Sequence, residues 1–381
     1  MYQYQETQRF FAQTQRLLEA VAREELQELG AVRCKDSFCG VYFEAAPAVL
    51  YKIVYCARTV NRVLAPLITF SCTSKEALYK NGYNIPWSEF FSIRETFAIH
   101  ANVSESPITH SGYAAFLLKD AIVDYFRKKY GKRPNVDPRE ADIRFGLNIR
   151  QDRAIISLDI SGESLHRRGY RVAPVMAPMQ ETLAAAILRI SAWQADKPLL
   201  DPMCGSGTIL AEAFMKYANI PAGFKRKTFG FFYLPDFDSK TWEKVKKACD
   251  KNFLQPPPGL IHGSDNDKQA VKAARQNLNQ IPGGLQVPIK RKDFREIENA
   301  ENYVLITNPP YGVRMDQGKR EKLQEMYRQI GDFLKQKCKG STAYILCGDK
   351  VLTKHIGLKI SHRIPLYNGP IETRLVKIEV Y

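Results

Sequence analysis

Asn308-Pro309-Pro310-Tyr311 is the stretch of this chain whose residue types and order carry a specific chemistry. Proline has no N–H, so beyond Asn308 the backbone offers two carbonyls and no competing donors. The Asn308 amide oxygen and the Pro309 carbonyl can then both point into a site as acceptors. A planar exocyclic amine has two hydrogens to give and a lone pair delocalised into its ring. Two fixed acceptors holding those hydrogens favour a pyramidal nitrogen whose lone pair faces an electrophilic methyl. The nitrogen attacks neutral and loses its proton afterwards, so positioning and preorganised hydrogen bonds suffice without a general base. Tyr311 adds a face on which an extruded base can stack. A structural Pro-Pro turn is the plain alternative.

Three further segments offer ligands. In Asp201-Pro202-Met203-Cys204-Gly205-Ser206-Gly207-Thr208 an acid precedes a glycine turn that opens a helix. Glycines allow positive φ and close approach, and a helix start presents free N–H groups. An acid ahead of the glycines suits a ligand with amino and carboxylate groups better than a pyrophosphate. Asp201 is therefore placed on the amino group of a methionine-type cofactor and the loop amides on its carboxylate. Gly-x-Gly alone is also found in dinucleotide folds and plain turns. Gly263-Ser264-Asp265-Asn266-Asp267 puts Asp265 where an acid accepts both ribose hydroxyls, while Asp267 reads as a helix cap. Asp293 and Phe294 follow a third strand, the acid for an adenine amino group and the ring beside the base. Cys204 reads as a small packing residue rather than a nucleophile.

The elements that hold these residues fall into two regimes. Up to about residue 160 short helices mix with alternating strands: Thr14–Leu29 and 113–130 read as helices, and Ile143–Ile149 with Ala154–Ile160 reads as a hairpin across Gln151-Asp152. This predicts an α+β fold with antiparallel strands. From Pro198 the rhythm becomes buried strand, turn, helix, which predicts a doubly wound, mostly parallel sheet. Lys359–Leu366 and Arg374–Tyr381 around Asn368-Gly369 close it as an antiparallel edge hairpin. Residues 219–258 read as an insertion after the first strand–helix unit.

Composition narrows the partner. Lys and Arg total 56 against 40 Asp and Glu, a net charge of +16 on 381 residues, which favours polyanions. The positives cluster at Arg127, Lys128, Lys129, Lys132 and Arg133, and again at Arg167, Arg168 and Arg171, with smaller groups at 225–227 and 290–292. A solvated basic face is the alternative for any one cluster. No apolar run is long enough to cross a bilayer, and no basic amphipathic helix with a wide apolar face argues for a membrane surface. The start lacks the pattern of a secretory signal. Eight cysteines without a Cys-x-x-Cys pair, and dispersed histidines, predict a reduced cytoplasmic setting and no metal site.

The glycine loop followed in order by Asn-Pro-Pro-Tyr resembles the class I amino-methyltransferases. The run Asp159-Ile160-Ser161-Gly162-Glu163-Ser164-Leu165-His166-Arg167-Arg168-Gly169-Tyr170-Arg171, with Ala177-Pro178-Met179-Gln180-Glu181-Thr182-Leu183-Ala184, is similar to the THUMP-containing guanine-N2 methyltransferases of bacterial large-subunit ribosomal RNA. That resemblance covers essentially the whole chain. It implies a ferredoxin-like piece over residues 1–65, a THUMP RNA-binding domain over 66–162, and a Rossmann-like catalytic domain over 163–381 built on a seven-stranded sheet. It further implies S-adenosylmethionine as cofactor, with Gln180, Glu181 and Thr182 bordering its pocket. The substrate would be a guanosine of 23S ribosomal RNA or of a ribosome assembly intermediate. One relative of this group carries a second methyltransferase domain, for which 381 residues leave no room. Transfer-RNA guanine-N2 enzymes share the architecture and are the near alternative. A non-catalytic THUMP RNA-binding protein and, further off, a nicotinamide dehydrogenase are readings from other classes. The modified position and the oligomeric state are not legible.

Overall fold

The computed structural model describes residues 1–173, 179–251, 253–311 and 317–381, with the backbone alone at 317–319. Ala177 and Pro178 of the resemblance motif, and Gly312, lie outside the described residues. The chain forms two compact units, one of Met1–Thr14, Arg23–Leu165 and Arg226–Lys246, the other of Gln15–Ala22, His166–Lys225 and Lys247–Tyr381.

The first unit carries helices α1 (Gln3–Thr7), most of α2 (Glu19–Leu29), α3 (Pro47–Cys56), α4 (Lys75–Tyr83) and α5 (Ser111–Tyr130). Its strands are β1 (Arg9–Gln13), β2 (Val32–Ser37), β3 (Gly40–Glu44), β4 (Arg62–Ser71), β5 (Thr96–Ser104), β6 (Asn135–Val136), β7 (Ile143–Arg150) and β8 (Arg153–Asp159). They make one sheet in the order β2-β3-β1-β4-β8-β7-β5-β6. The β7–β8 hairpin forms as expected. Two expectations are corrected. β5 pairs parallel with β7, so α5 is a crossover between them: alternation reports which side chains face the core, not the direction of the neighbouring strand. And α2 starts at Glu19 rather than Thr14, because Leu17 takes a positive φ of 71°, which breaks the helix there. The expected boundary at 65/66 falls inside β4, which pairs with β1 at its start and with β8 along its length.

Residues 226–246 join this unit through aromatic packing. Phe231 stacks on Tyr51 of α3 at 4.8 Å, and Trp242 meets Tyr55 edge-on at 5.3 Å. The insertion is therefore part of a core remote from it in sequence.

The second unit holds α6 (Glu181–Ile190), β9 (Leu199–Asp201), α7 (Thr208–Tyr217), the end of α8 (Ser239–Asp250), β10 (Ile261–Asp265), α9 (Lys268–Leu278), β11 (Ile289–Arg291), β12 (Val304–Thr307), α10 (Gln317–Lys337), β13 (Thr342–Cys347), α11 (Leu352–His355), β14 (Ile360–Asn368) and β15 (Ile371–Glu379). The sheet runs β11-β10-β9-β12-β13-β15-β14. The first five strands are parallel and the last two form the expected antiparallel hairpin. The central parallel strands β9 and β12 are apolar on both faces. Leu199, Val304 and Ile306 enter a core with α6, α7 and α9, whereas Leu200 and Leu305 enter one with α10 and α11. Helices on both faces leave the strand ends as the place where polar groups can gather.

Candidate functional site

Parallel strands release their loops at one edge of the sheet, and four adjacent ones do so here. In the order β11, β10, β9, β12 they present Asp293, Asp265, the glycine loop and Asn308. The four sequence motifs are thus brought to one edge of the sheet.

The glycine loop is built for close approach. Gly205 and Gly207 have φ of 53° and 78°. A side chain on Gly207 would press on Ala274 of α9 at 3.1 Å, whereas nothing lies within 4 Å of a Cβ on Gly205. The loop is pinned from below: Cys204 N–H donates to the Ser264 carbonyl at 2.9 Å, and Gly205 N–H to Asp265 Oδ2 at 2.9 Å. Ser206 and Thr208 are buried beside each other with hydroxyls 3.4 Å apart. Burial, reinforced by Asp201 and Asp265, pushes the Cys204 thiol well above its usual range. It stays a neutral packing group, as the sequence suggested.

The acids divide. Asp201 is 1% exposed, and its Oδ1 accepts from the Thr307 hydroxyl at 2.8 Å and the Met203 N–H at 3.2 Å. Burial pushes its pKa up to about 7. The carboxyl is a strut between the ends of β9 and β12, placing the residue before Asn308, and its position differs from that of an open amine ligand. Asp265 is half-buried and accepts from Gly205 and, through Oδ1, from Asp267 N–H at 3.0 Å. Asp267 caps α9 through the Gln269 N–H at 2.8 Å, as expected. Asp293 is gripped by the Arg295 guanidinium at 2.8 and 2.9 Å, which holds its pKa below the usual range, and receives Asn266 Nδ2 at 3.3 Å. Phe294, read as lining a base, is 6% exposed and packs edge-on against Phe333 at 5.9 Å, leaving little ring for a ligand.

At the end of β12, Asn308 Oδ1 is buried with no hydrogen-bond partner among the described residues. Pro309 is buried and Pro310 exposed. The Tyr311 hydroxyl accepts from Asn368 Nδ2 at 2.6 Å. Its ring lies against Gly348, where a Cβ would fall 2.1 Å from a ring carbon. Thr307, Gly348 and Asn368 thus shape this end of the site. Sequence reasoning missed all three, and only a glycine directly after β13 hinted at one of them.

At the start of α6, Gln180 Oε1 accepts from Gln15 Nε2 at 2.7 Å. Thr182 is fully buried, and Glu181 is 3% exposed and faces Arg171 at 3.5 Å. This corrects the second basic cluster. Arg171 donates to the Met179 carbonyl and the Thr208 hydroxyl, and Arg168 is 0% exposed with Nε 3.3 Å from Glu212. Of that cluster Arg167 alone is exposed. In the first unit Arg127, Lys128 and Lys129 form the exposed last turn of α5, with Lys132 and Arg133 exposed beyond it. Among the described residues no group of His, Cys, Asp and Glu could hold a metal ion, and no helix is long and apolar enough to cross a membrane.

Comparison with known proteins decides the family. The model of the RMKL-like methyltransferase domain matches residues 168–377, that of the THUMP domain residues 72–159, and that of the RlmL ferredoxin-like domain residues 9–64. The chain belongs to this THUMP-containing methyltransferase family. The Synechocystis sp. protein slr0064, provisionally named an RNA methyltransferase, is 41% identical over 98% of this chain and 97% of its own. The ribosomal RNA large subunit methyltransferase K/L of Syntrophotalea carbinolica is 35% identical over 98% of this chain. The chain spans 53% of that relative's length. The crystal structure of SMU.472, a provisionally assigned methyltransferase complexed with SAH, superposes with a TM-score of 0.84 at 27% identity, covering 98% of both chains. TrmN from Thermus thermophilus shares the fold at 19% identity and a TM-score of 0.72 over 98% of this chain and 99% of its own. As a family member the chain has the class I fold and uses S-adenosylmethionine. The residues fit that group: open space above Gly205, a half-buried acid at the end of β10, and an unused acceptor at Asn308.

Proposed function

We propose that this protein methylates the exocyclic N2 amine of a guanosine in 23S ribosomal RNA. The observation that carries the amine is Asn308 Oδ1, buried and without a partner among the described residues, followed by two residues that have no N–H. A buried acceptor left unused costs about 1–3 kcal/mol, so its position argues for a donor that arrives with the substrate. Oδ1 takes one amine hydrogen and the Pro309 carbonyl the other, which turns the nitrogen lone pair outward. Tyr311, with its ring held by Gly348 and its hydroxyl by Asn368, stacks on the extruded base. S-adenosylmethionine supplies the methyl group when bound. Asp265 accepts its ribose hydroxyls, Asp293 and Asn266 the edge of its adenine, and residues 204–208 and 180–182 enclose its remainder.

Ribosomal RNA is favoured by the K/L relatives at 34–37% identity, by the THUMP match and by the net charge of +16. The test is incubation with labelled S-adenosylmethionine and RNA from a strain lacking the gene, with mass-spectrometric mapping. Label on guanine N2 of large-subunit RNA is expected, from free RNA or from an assembly intermediate. Label on transfer RNA overturns the substrate, and label on another atom overturns the amine. Asn308→Ala should abolish transfer while S-adenosylhomocysteine still binds; near-full turnover would refute the amine-holding role.

A further inference from the structure

Gln15-Arg16-Leu17-Leu18 is a turn of the N-terminal segment that belongs to the second unit. The Leu18 N–H donates back to the Gln15 carbonyl at 3.1 Å, and Leu17, the third residue, has a φ of 71°. Turns of this kind favour glycine or asparagine there, and another residue in that conformation costs about 1–3 kcal/mol. Such strain persists where the surroundings over-determine it, and here they do. Gln15 Nε2 donates to Gln180 Oε1 at 2.7 Å, at the start of α6, and Leu18 is 1% exposed in a core shared with Leu183 and Ile187. The chain is thus fixed on both sides of Arg16 and Leu17, which are exposed at the apex. Arg16 lies over the ring of Tyr367, 5.7 Å from its centroid. Among the described residues no hydrogen bond or ion pair engages its guanidinium. Tyr367 stands beside Asn368 at the end of β14, and Asn368 Nδ2 donates to the Tyr311 hydroxyl. A strained turn therefore holds an unpaired cation next to the side chain that steadies Tyr311.

We propose that Arg16 binds an RNA phosphate next to the base extruded onto Tyr311, and so holds the flipped nucleotide. A guanidinium that meets an aromatic ring through its charge keeps its N–H donors for a second partner, and their fork matches the oxygens of a phosphate. Extruding a base costs a few kcal/mol of stacking and pairing, and a charge-assisted hydrogen bond to the backbone offsets part of that. The exposure of Arg16 favours the backbone over the base. A phosphate stays at the surface when its base is drawn in, whereas the edge of an extruded base lies inside a pocket. The phosphate contact rests on RNA being the substrate.

Transfer of label from S-adenosylmethionine to ribosomal RNA of a strain lacking the gene, followed over a salt series, tests it. Arg16→Gln should lower kcat/KM roughly ten- to a hundredfold, the scale of a hydrogen bond to a charged group. The slope of log kcat/KM against log salt should flatten by about 0.7, the share of one phosphate in a single strand. Arg16→Lys, which keeps the charge, should retain the wild-type slope. Calorimetry should find the affinity for S-adenosylhomocysteine unchanged in both variants. A wild-type kcat/KM in Arg16→Gln overturns the proposal. So does a lowered value with an unchanged slope, the mark of an uncharged contact. Parallel loss of S-adenosylhomocysteine affinity overturns it too, because the turn would then merely support Gln180. Should the wild type transfer no label at all, the RNA substrate falls and the phosphate contact with it.

Discussion

Residues 127–133 and 167–171 look alike in the sequence, each a short run of arginine or lysine broken by one or two other residues, and the structure treats them in opposite ways. The first ends α5 in solvent. Arg127 reaches back to Asp124 at 3.3 Å, Lys129 donates to Ser88 at 2.7 Å, and Gly131 closes the helix with a φ of 67°. Three cations in the last turn also suit the negative end of the helix dipole. The second run is largely internal. Arg168 is sealed with Glu212, whose Oε1 also accepts from the Tyr170 hydroxyl at 3.4 Å. Val172 and Ala173 N–H groups then fasten to Asn277 of α9. A count of positive residues measures charge. Whether that charge faces water depends on acids elsewhere, and the partner of Arg168 is 44 positions away.

The largest expected effect tests that contrast directly. Arg168→Met leaves Glu212 fully buried without its guanidinium, and breaking a buried pair from one side costs about 3–5 kcal/mol. Chemical denaturation of the variant should show that loss. The double variant Arg168→Met/Glu212→Leu should recover most of it, because both charges are then gone. A cost for the single variant as small as that of a surface substitution would mean that the pair is decoration on an apolar core. RNA affinity, measured where the variant remains folded, should hardly change.

Asp201 extends the buried side of the comparison to a carboxyl whose described partners are a hydroxyl and an amide rather than a guanidinium. Its pKa is raised from 3.8 to about 7 by burial. Between those values the native state keeps a proton that the unfolded chain releases, so stability falls as pH rises from about 4 to about 7. The full difference amounts to about 4 kcal/mol. Asp201→Asn keeps an acceptor for Thr307 and has no proton to lose. The stability of the variant relative to the wild type should therefore climb through that window and level off above it, in melts without cofactor. A constant difference across pH would show that the carboxyl is ionised in the fold.

What the sequence made legible was the part governed by local rules. The mostly parallel sheet followed from apolar runs that end in turn residues, the last hairpin from Asn368-Gly369, and the α9 cap from Asp267. The four motifs met because parallel strands share one edge. What stayed hidden was set by distant packing: the parallel pairing of β5 with β7, the aromatic docking of Phe231 on Tyr51, and the Asp201–Thr307 strut. Arg168 belongs with these. Each needed a partner dozens or hundreds of positions away, and no local pattern announces one.

The smallest expected effect on the fold, and the one that bears on substrate, is at the exposed run. Arg127→Gln, Lys128→Gln and Lys129→Gln together remove three charges from a solvated helix end. The denaturation midpoint should barely move, since exposed pairs such as Arg127–Asp124 contribute little. RNA binding should move. For every phosphate that is no longer neutralised, the slope of log affinity against log salt falls by about 0.7 for single strands and about 0.9 for duplex. Titrating labelled ribosomal RNA fragments over a salt series therefore reads how many phosphates the turn neutralises as well as how tightly it holds them. A slope reduced by about 2 would assign most of the turn to the RNA backbone. An unchanged slope with unchanged affinity would make the exposed run a solvated face, and the two basic segments would then differ in burial but not in function.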